Sequence, residues 1–438
     1  MIHLIGIKGA GMASLAAILQ DLGYEVQGSD LPRHFFTEET LRQRNIPVFD
    51  FDPKNIAGPL TVIIGNAFHD DFPEVAAALA SPLAECYRYH DYVGKLMCDF
   101  QSFSVAGSHG KTTTATMLSD MLMADAPCAY LIGDGNGKVE TGAKRLVVES
   151  CEFRRHFLSY YPDYAIFTNV ELDHVDYYKS REDYYRAYEE FAENVKRKIV
   201  LYGDDPEVRA LKIDKDKTVY YGEEPGNDIQ AYEVIQYNDK AEFKVKAYGR
   251  FYGSYRLPLV GKHMLANALA CIGIGYLLGM DSDISQQGLS TFKGARRRYV
   301  VEEQGDNVFI DDYAHHPTEV DMTIKATKLR YPNKKIVAVF KPHRASRLVR
   351  FIDEYENALR QADYCGVCEF TSIDDFDDGT EISVSYLTKR IPDCRIFRET
   401  AEDVNYLAGL APAVFLFMSS KDIYDFATAL KTELSNRQ

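Results

Sequence analysis

No run of about 18 apolar residues occurs in this 438-residue sequence, which excludes a membrane-spanning helix on length. Basic charge is also scarce. Against 65 Asp and Glu stand 50 Lys and Arg, a formal net charge of -15, so a surface that grips a nucleic-acid backbone is not expected, although a local basic pocket for one small anion is compatible. Cysteines are few and scattered (Cys86, Cys98, Cys128, Cys151, Cys271, Cys365, Cys368, Cys394), and the one C-x-x-C pair, Cys365 and Cys368, sits in an apolar run. This usage reads as reduced thiols in a cytoplasm rather than a disulfide framework. Low-complexity tracts are missing, and 46% hydrophobic with 26% charged residues is the composition of a soluble globular protein. The opening MIHLIGIKGAGMASLAAIL has neither a basic leader nor a small-residue cleavage site and reads as a strand.

The length calls for two or three domains. In IHLIGIKGAGMASLAAILQDLGYEVQGSD, an apolar strand ends at Gly6, a helical pattern runs from Met12 to Leu22, and YEVQGSD supplies a second strand. Glycines 6, 9 and 11 leave backbone N–H groups free at the helix start to seat a pyrophosphate, and Asp30 at the second strand's tip is placed to bond a ribose hydroxyl. The spacing G-x-x-G-x-G differs from the usual dinucleotide G-x-G-x-x-G, so a plain tight turn stays open at this point. TVIIGNAF at 61–68 is a further buried strand running into a polar rim.

A second module centres on VAGSHGKTTTATML at 105–118. Two residues separate Gly107 from Gly110 where the common P-loop has four, but strand, glycine turn, Lys-Thr and helix come in the order that phosphate binding needs. The loop Gly107, Ser108, His109, Gly110, Lys111, Thr112, Thr113 is therefore expected to hold a nucleoside triphosphate, with Lys111 on the β and γ phosphates and Thr112 on magnesium. KRLVVES ends a strand in Glu149, from which a carboxylate can reach the same metal, and DYAIFTNVELDHVDYY is expected to deliver Asp173 and His174 at its carboxyl end. Near residue 297 a third module begins, where the apolar strands in VFIDDYAHHPTEV, KKIVAVFKPHRASRL and APAVFLFMSSKDIYDF each end in polar residues. That is a third α/β sheet with ligands at its carboxyl edge. His315, His316 and His343 match no closed zinc spacing.

Taken in order, GIKGAGM, GSHGKTT, the Glu149 strand, TNVELDH, GKHMLANA, the Arg297-Arg298 pair, DDYAHHPTE and FKPHRASR cover the whole chain, and the sequence resembles the Mur ligase family of ATP-dependent, amide-forming enzymes of peptidoglycan assembly. Within that family the likeness is to the branch that joins L-alanine to UDP-N-acetylmuramate. The resemblance implies an α/β chain of three domains: a Rossmann-like UDP-binding domain at 1–98, a central P-loop ATPase-like domain at 99–296 and a Rossmann-like C-terminal domain at 297–438 that closes over ATP. It implies UDP-sugar contacts at Gly9, Ala10, Gly11, Met12, Ser29 and Asp30, and ATP with Mg2+ as cofactors. One magnesium would fall on Thr112 and Glu149, and a second on Glu149 and His174. Adenine and ribose contacts would fall on Asn267, Arg298 and Asp312, and alanine contacts on Tyr313, His315, Arg344 and Arg347. Two arginines suit an amino-acid carboxylate because the guanidinium fork grips it bidentately.

Three departures from the family pattern bear on function. Cys151 stands in ESCEF where the family usually has ESD, with Glu152 a candidate substitute for the lost carboxylate. Met264 replaces a common Asn in GKHMLANA, and Ser419, Ser420 and Lys421 replace a glycine-containing run, with Lys421 read as solvated. Competing readings are a murein peptide ligase that adds a preformed peptide to the same acceptor, a non-catalytic nucleotide-sugar sensor, and an NAD-dependent oxidoreductase. Intact Lys111, Thr112, Glu149 and His174 oppose the sensor, and the oxidoreductase leaves the second phosphate loop unexplained. Preference among alanine, serine and glycine, and oligomeric state, do not follow from the sequence.

Overall fold

Mainly parallel strands, many of them alternating with helices, build the three sheets of the computed structural model, which describes all residues except His34, Asp176, Arg296, Arg297, Ser372, Asp377, Asp378, Glu381, Asp422 and Gln438. Arg297, quoted above in the arginine pair, thus lies outside the described residues. The described residues form two compact units, one of residues 1–234, 243–256 and 266–292, the other of residues 235–242, 257–265 and 293–438.

The first sheet has five parallel strands in the spatial order Val48–Asp50, Val26–Asp30, Ile2–Ile5, Leu60–Ile64, Ala84–Arg88. Ile2–Ile5 is buried along its whole length, as a central strand covered on both faces must be. Strand order reverses between Ile2–Ile5 and Leu60–Ile64, and the crevice at that reversal is where the glycine loop opens. The helix Ala10–Asp21 starts there at Gly9 with no side-chain cap and no acid in its first turn, so its leading amides are left for a ligand.

In the second sheet the strand Gln101–Ala106 lies between Arg145–Glu149 and Tyr164–Phe167, parallel to both. Val105 pairs with Glu149 and Ala106 with Phe167, so three strand tips end level with one another. The first two sheets share one apolar core, in which the helix Ala10–Asp21 lies against the strand Asn136–Val139. Ser14 Oγ donates to Ile132 O at 2.6 Å, and a Cβ built on Gly137 would stand 2.1 Å from the backbone oxygen of Ser14. Backbone cannot yield as a flexible side chain can. Gly137→Ala is therefore expected to cost about 1–3 kcal/mol and lower Tm in thermal denaturation; an unchanged Tm would show the contact to be soft.

Six strands form the third sheet, in the order Val300–Gln304, Asn307–Asp312, Val414–Met418, Ile336–Phe340, Tyr364–Cys368, Arg395–Phe397. Only the first pair is antiparallel. Met418 is in register with both Asp312 and Phe340, which brings the polar segments after these three strands to one edge.

Candidate active site

The glycine loop of the second sheet is tied down before any ligand enters. Gly107 has φ +142° and no room for a side chain, since a Cβ would meet Thr168 Oγ1 at 2.0 Å; Gly110, at φ +79°, is the left-handed residue from which the helix Lys111–Met123 starts. Thr168 Oγ1 and Asn169 Nδ2 donate to His109 O at 2.5 and 3.0 Å, and His109 N donates to Asn169 Oδ1 at 2.9 Å. Ser108 Oγ donates to Glu171 O at 2.6 Å and lies 2.8 Å from the Tyr184 hydroxyl. The strand expected to carry Asp173 and His174 stops at Phe167, because the chain leaves the ladder there to embrace this loop. His174 follows in the loop with φ +50°, its N–H donating to Asp173 Oδ1 at 2.7 Å.

The next layer brings the charges together. Lys111 Nζ donates to Gly107 O at 2.5 Å, to Ser108 O at 3.1 Å and to Glu152 Oε2 at 3.0 Å. Burial alone would favour the neutral amine, but the Glu152 carboxylate outweighs it and raises the lysine above its ordinary value. Thr112 Oγ1 donates to Glu149 Oε1 at 2.8 Å, and Glu149 Oε2 accepts from Gly133 N at 2.7 Å. Glu152 Oε1 is 3.6 Å from His174 Nε2. Glu152 is fully buried and also accepts from the Tyr184 hydroxyl at 3.3 Å. Cys151, the departure from ESD, is exposed. A hydroxyl, two carboxylates and an imidazole are a mainly hard, oxygen-rich donor set that fits magnesium. Asn267 reaches this loop as well, its Oδ1 lying 3.1 Å from where a Gly110 Cβ would be, and Thr113 is buried in the first turn of the helix.

At the glycine loop of the first sheet, Asp30 holds the turn closed. Its oxygens accept from Lys8 N and Leu31 N, both at 2.7 Å. Each oxygen keeps a second lone pair for a ligand. Ser29, near the end of the strand Val26–Asp30, has a fully buried side chain. Gly9, Ala10, Gly11 and Met12 form the start of the helix, with Met12 turned into the core.

The edge of the third sheet carries the remaining expected residues. Tyr313 stacks under the Arg298 guanidinium at 4.6 Å, and Arg298 Nη1 lies 3.4 Å from Glu319 Oε1. His315 Nδ1 is 3.0 Å from Tyr313 O and 3.1 Å from Glu319 Oε2, while the Tyr355 hydroxyl donates to His315 O at 2.5 Å. His316 caps the helix Pro317–Arg330 and His343 Nδ1 lies 3.1 Å from Ser420 Oγ, so the three histidines serve separate tasks. Arg344 has φ +67° and donates its N–H to the buried Asp375 at 3.1 Å; Arg347, also buried, donates to His343 O at 3.4 Å. Ser419 Oγ donates to Lys341 O and accepts from Lys421 N, both at 3.0 Å, so this serine ties two strand tips together, and Lys421 is half-buried.

Asp312 accepts from Ala314 N and Thr323 Oγ1, both at 3.0 Å, yet its burial pushes the carboxyl up to about 7, with Glu319 reinforcing and Arg298 opposing. Between its unfolded value near 3.9 and about 7 the folded chain holds a proton that the unfolded chain releases. This group's contribution to stability is thus complete below about pH 4 and lost as pH rises through about 7. Relative to the parent chain, Asp312→Asn should gain stability in urea melts between about pH 5 and about pH 8; parallel pH profiles would count against it.

Family models match the chain in three successive stretches: "Mur ligase family, catalytic domain" over residues 1–101, "Mur ligase middle domain" over 105–275, and "Mur ligase, glutamate ligase domain" over 296–416. A UDP-N-acetylmuramate–L-alanine ligase of Streptococcus gordonii is 39% identical over 436 residues, covering 99% of this chain and 98% of that protein. The chain belongs to the Mur ligase family. Among solved structures, this Mur ligase is similar to the UDP-N-acetylmuramate-alanine ligase MurC of Thermotoga maritima, with TM-score 0.80, 27% identity and 99% of each chain covered. It shares its fold with a murein peptide ligase of Psychrobacter arcticus, at TM-score 0.70, 21% identity and 99% and 98% coverage. The Mur ligase domains account for the three α/β sheets. Sequence reasoning missed Glu319, Tyr355 and Asp375 as supports of the third sheet's edge. Only Glu319 had a local signal, the H-P-T-E capping pattern ahead of a helix.

Proposed function

We propose that this Mur ligase joins L-alanine to the lactyl carboxylate of UDP-N-acetylmuramate with ATP, in cytoplasmic peptidoglycan precursor synthesis. The observation that carries this reading is the 39% identity, over nearly the full length of both chains, to a ligase named for those two substrates. The geometry supports it. A carboxylate is too weak an electrophile for an amine, so its oxygen first attacks the γ-phosphorus of ATP, ADP leaves and an acyl phosphate forms; the alanine amine then attacks the acyl carbon, phosphate leaves, the nitrogen gives up a proton and an amide remains. Lys111, held between two loop carbonyls and Glu152, directs its ammonium to the β and γ phosphates and offsets their charge as the carboxylate approaches. Thr112, Glu149, Glu152 and His174 are the residues that would hold magnesium, which when bound supplies charge neutralisation to the phosphates. Asn267, Arg298 and Asp312 are proposed for the adenosine, and Tyr313, His315, Arg344 and Arg347 for alanine. Gly9, Ala10, Gly11, Met12, Ser29 and Asp30 are proposed for the uridine diphosphate. The labour divides among domains at 1–98, 99–296 and 297–438.

The test is to incubate the protein with Mg-ATP, UDP-N-acetylmuramate and alanine, serine, glycine or a peptide, following phosphate release and product mass. The reading expects phosphate release with addition of one alanine residue to the sugar nucleotide. Turnover with a tripeptide alone would make it a recycling ligase, and tight binding of both nucleotides without turnover would make it a sensor.

A further inference from the structure

Three polar side chains between the two glycine loops have no part in the reaction as described. Asn66 follows the strand Leu60–Ile64, His90 lies in the first turn of the helix Tyr89–Met97, and His156 belongs to the short helical segment Phe153–Ser159. The two imidazoles stack with centroids 4.4 Å apart and planes 17° from parallel. Asn66 clamps both: its Oδ1 is 2.9 Å from His90 Nδ1 and its Nδ2 is 3.1 Å from His156 Nδ1.

That clamp fixes the tautomers. An amide offers one acceptor oxygen and one donor nitrogen, so one histidine must be protonated at Nδ1 and the other bare there, whichever way the amide is turned. The opposite holds at the outer Nε2 atoms: one is a donor, the other an acceptor, with His90 Nε2 3.7 Å from Asp91 Oδ1, beyond hydrogen-bond distance. Burial lowers the proton affinity of both rings, that of His156 to about 4, so the pair is neutral near pH 7. All three residues remain only half-buried. A neutral edge with one donor and one acceptor matches a hydroxyl or an acetamido group, each of which also offers one of both, and does not match a phosphate.

Position narrows the ligand further. Tyr89, beside His90, sets its hydroxyl against the first glycine loop, 2.5 Å from where a Gly11 Cβ would be. On the other side, the Phe153 ring touches His156, with centroids 6.3 Å apart, and His174, at 4.8 Å. The histidine pair therefore stands between the crevice proposed for uridine diphosphate and the Lys111–Glu152–His174 cluster. We propose that Asn66, His90 and His156 form a pyranose subsite, which binds a hydroxyl or acetamido substituent of the acceptor sugar and so aims its lactyl carboxylate at that cluster. The inference rests on the functional reading above, that the acceptor is a nucleotide sugar.

Calorimetric titration with UDP-N-acetylmuramate and with UDP alone separates the two claims. His156→Phe keeps the ring stack and removes the polar edge; it should weaken the sugar nucleotide roughly threefold to tenfold and leave UDP unchanged. His156→Gln, which restores a donor and an acceptor, should recover part of the loss, and it decides the matter where the phenylalanine variant has a lowered Tm. In steady-state assays the KM for the sugar nucleotide should rise while that for ATP stays. Equal affinity of parent and variants for UDP-N-acetylmuramate, or an equal loss for UDP, overturns the subsite. A parent chain that binds UDP-N-acetylmuramate no better than UDP overturns the functional reading instead.

Discussion

Lys111→Met should lower kcat by roughly 100- to 1,000-fold, the scale on which removing one fixed charge or donor from a developing anion acts. The ammonium is not free to wander: it is anchored by Gly107 O, Ser108 O and Glu152 and needs no rearrangement as phosphate charge builds up. The same anchoring predicts a second effect. Glu152 is fully buried, and without the lysine its charge is left beside the Tyr184 hydroxyl at 3.3 Å and His174 at 3.6 Å. Removing one partner of a buried pair costs about 3–5 kcal/mol, so the single variant should also melt at lower temperature. Lys111→Met with Glu152→Gln removes the stranded charge and should recover most of that stability, yet none of the activity. Activity returning with the second change would mean that the lysine served the fold alone.

How far this cluster could be read in advance depended on how local its parts are. Strand, glycines, Lys-Thr and helix follow one another within residues 101–123, and the segment forms as its order suggests, because Gly107 and Gly110 supply the two backbone conformations that the turn requires. The parallel sheet was equally legible, since Val414–Met418 is apolar throughout, Ile2–Ile5 is apolar except for His3, and both are fully buried. Glu152 was legible only as a candidate. The apolar strand Arg145–Glu149 points to Glu149 as the tip carboxylate, but the chain then turns through Arg154 and Arg155 at φ +52° and +59°, and no glycine announces that turn. The loop after Phe167 was misjudged for a similar reason. Thr168 and Asn169 spend their polar groups on His109 O, some 60 positions earlier in the chain, and no local pattern reports such a partner. The Asn66–His90–His156 clamp joins three segments through side chains alone and left no periodic trace at all.

The alanine end of the reaction yields the other large expected effect: Arg347→Ala should raise the KM for alanine roughly 30-fold or more, while the KM values for ATP and the sugar nucleotide change little. Arg347 is only 5% exposed and donates to His343 O at 3.4 Å, so its guanidinium is held in place by its surroundings. Such a guanidinium loses little freedom on gripping a carboxylate, which is why its removal should be felt in binding. Arg344 differs. Its backbone is held at φ +67° with its N–H on Asp375, so its direction depends on a buried acid as well as on its own side chain. Asp375→Ala should accordingly raise the alanine KM in the same direction as Arg344→Ala but by less, and the double variant should show less than the sum of the two effects. Steady-state kinetics with alanine varied at saturating ATP and acceptor check this; an additive double variant would mean that Asp375 acts on something other than Arg344.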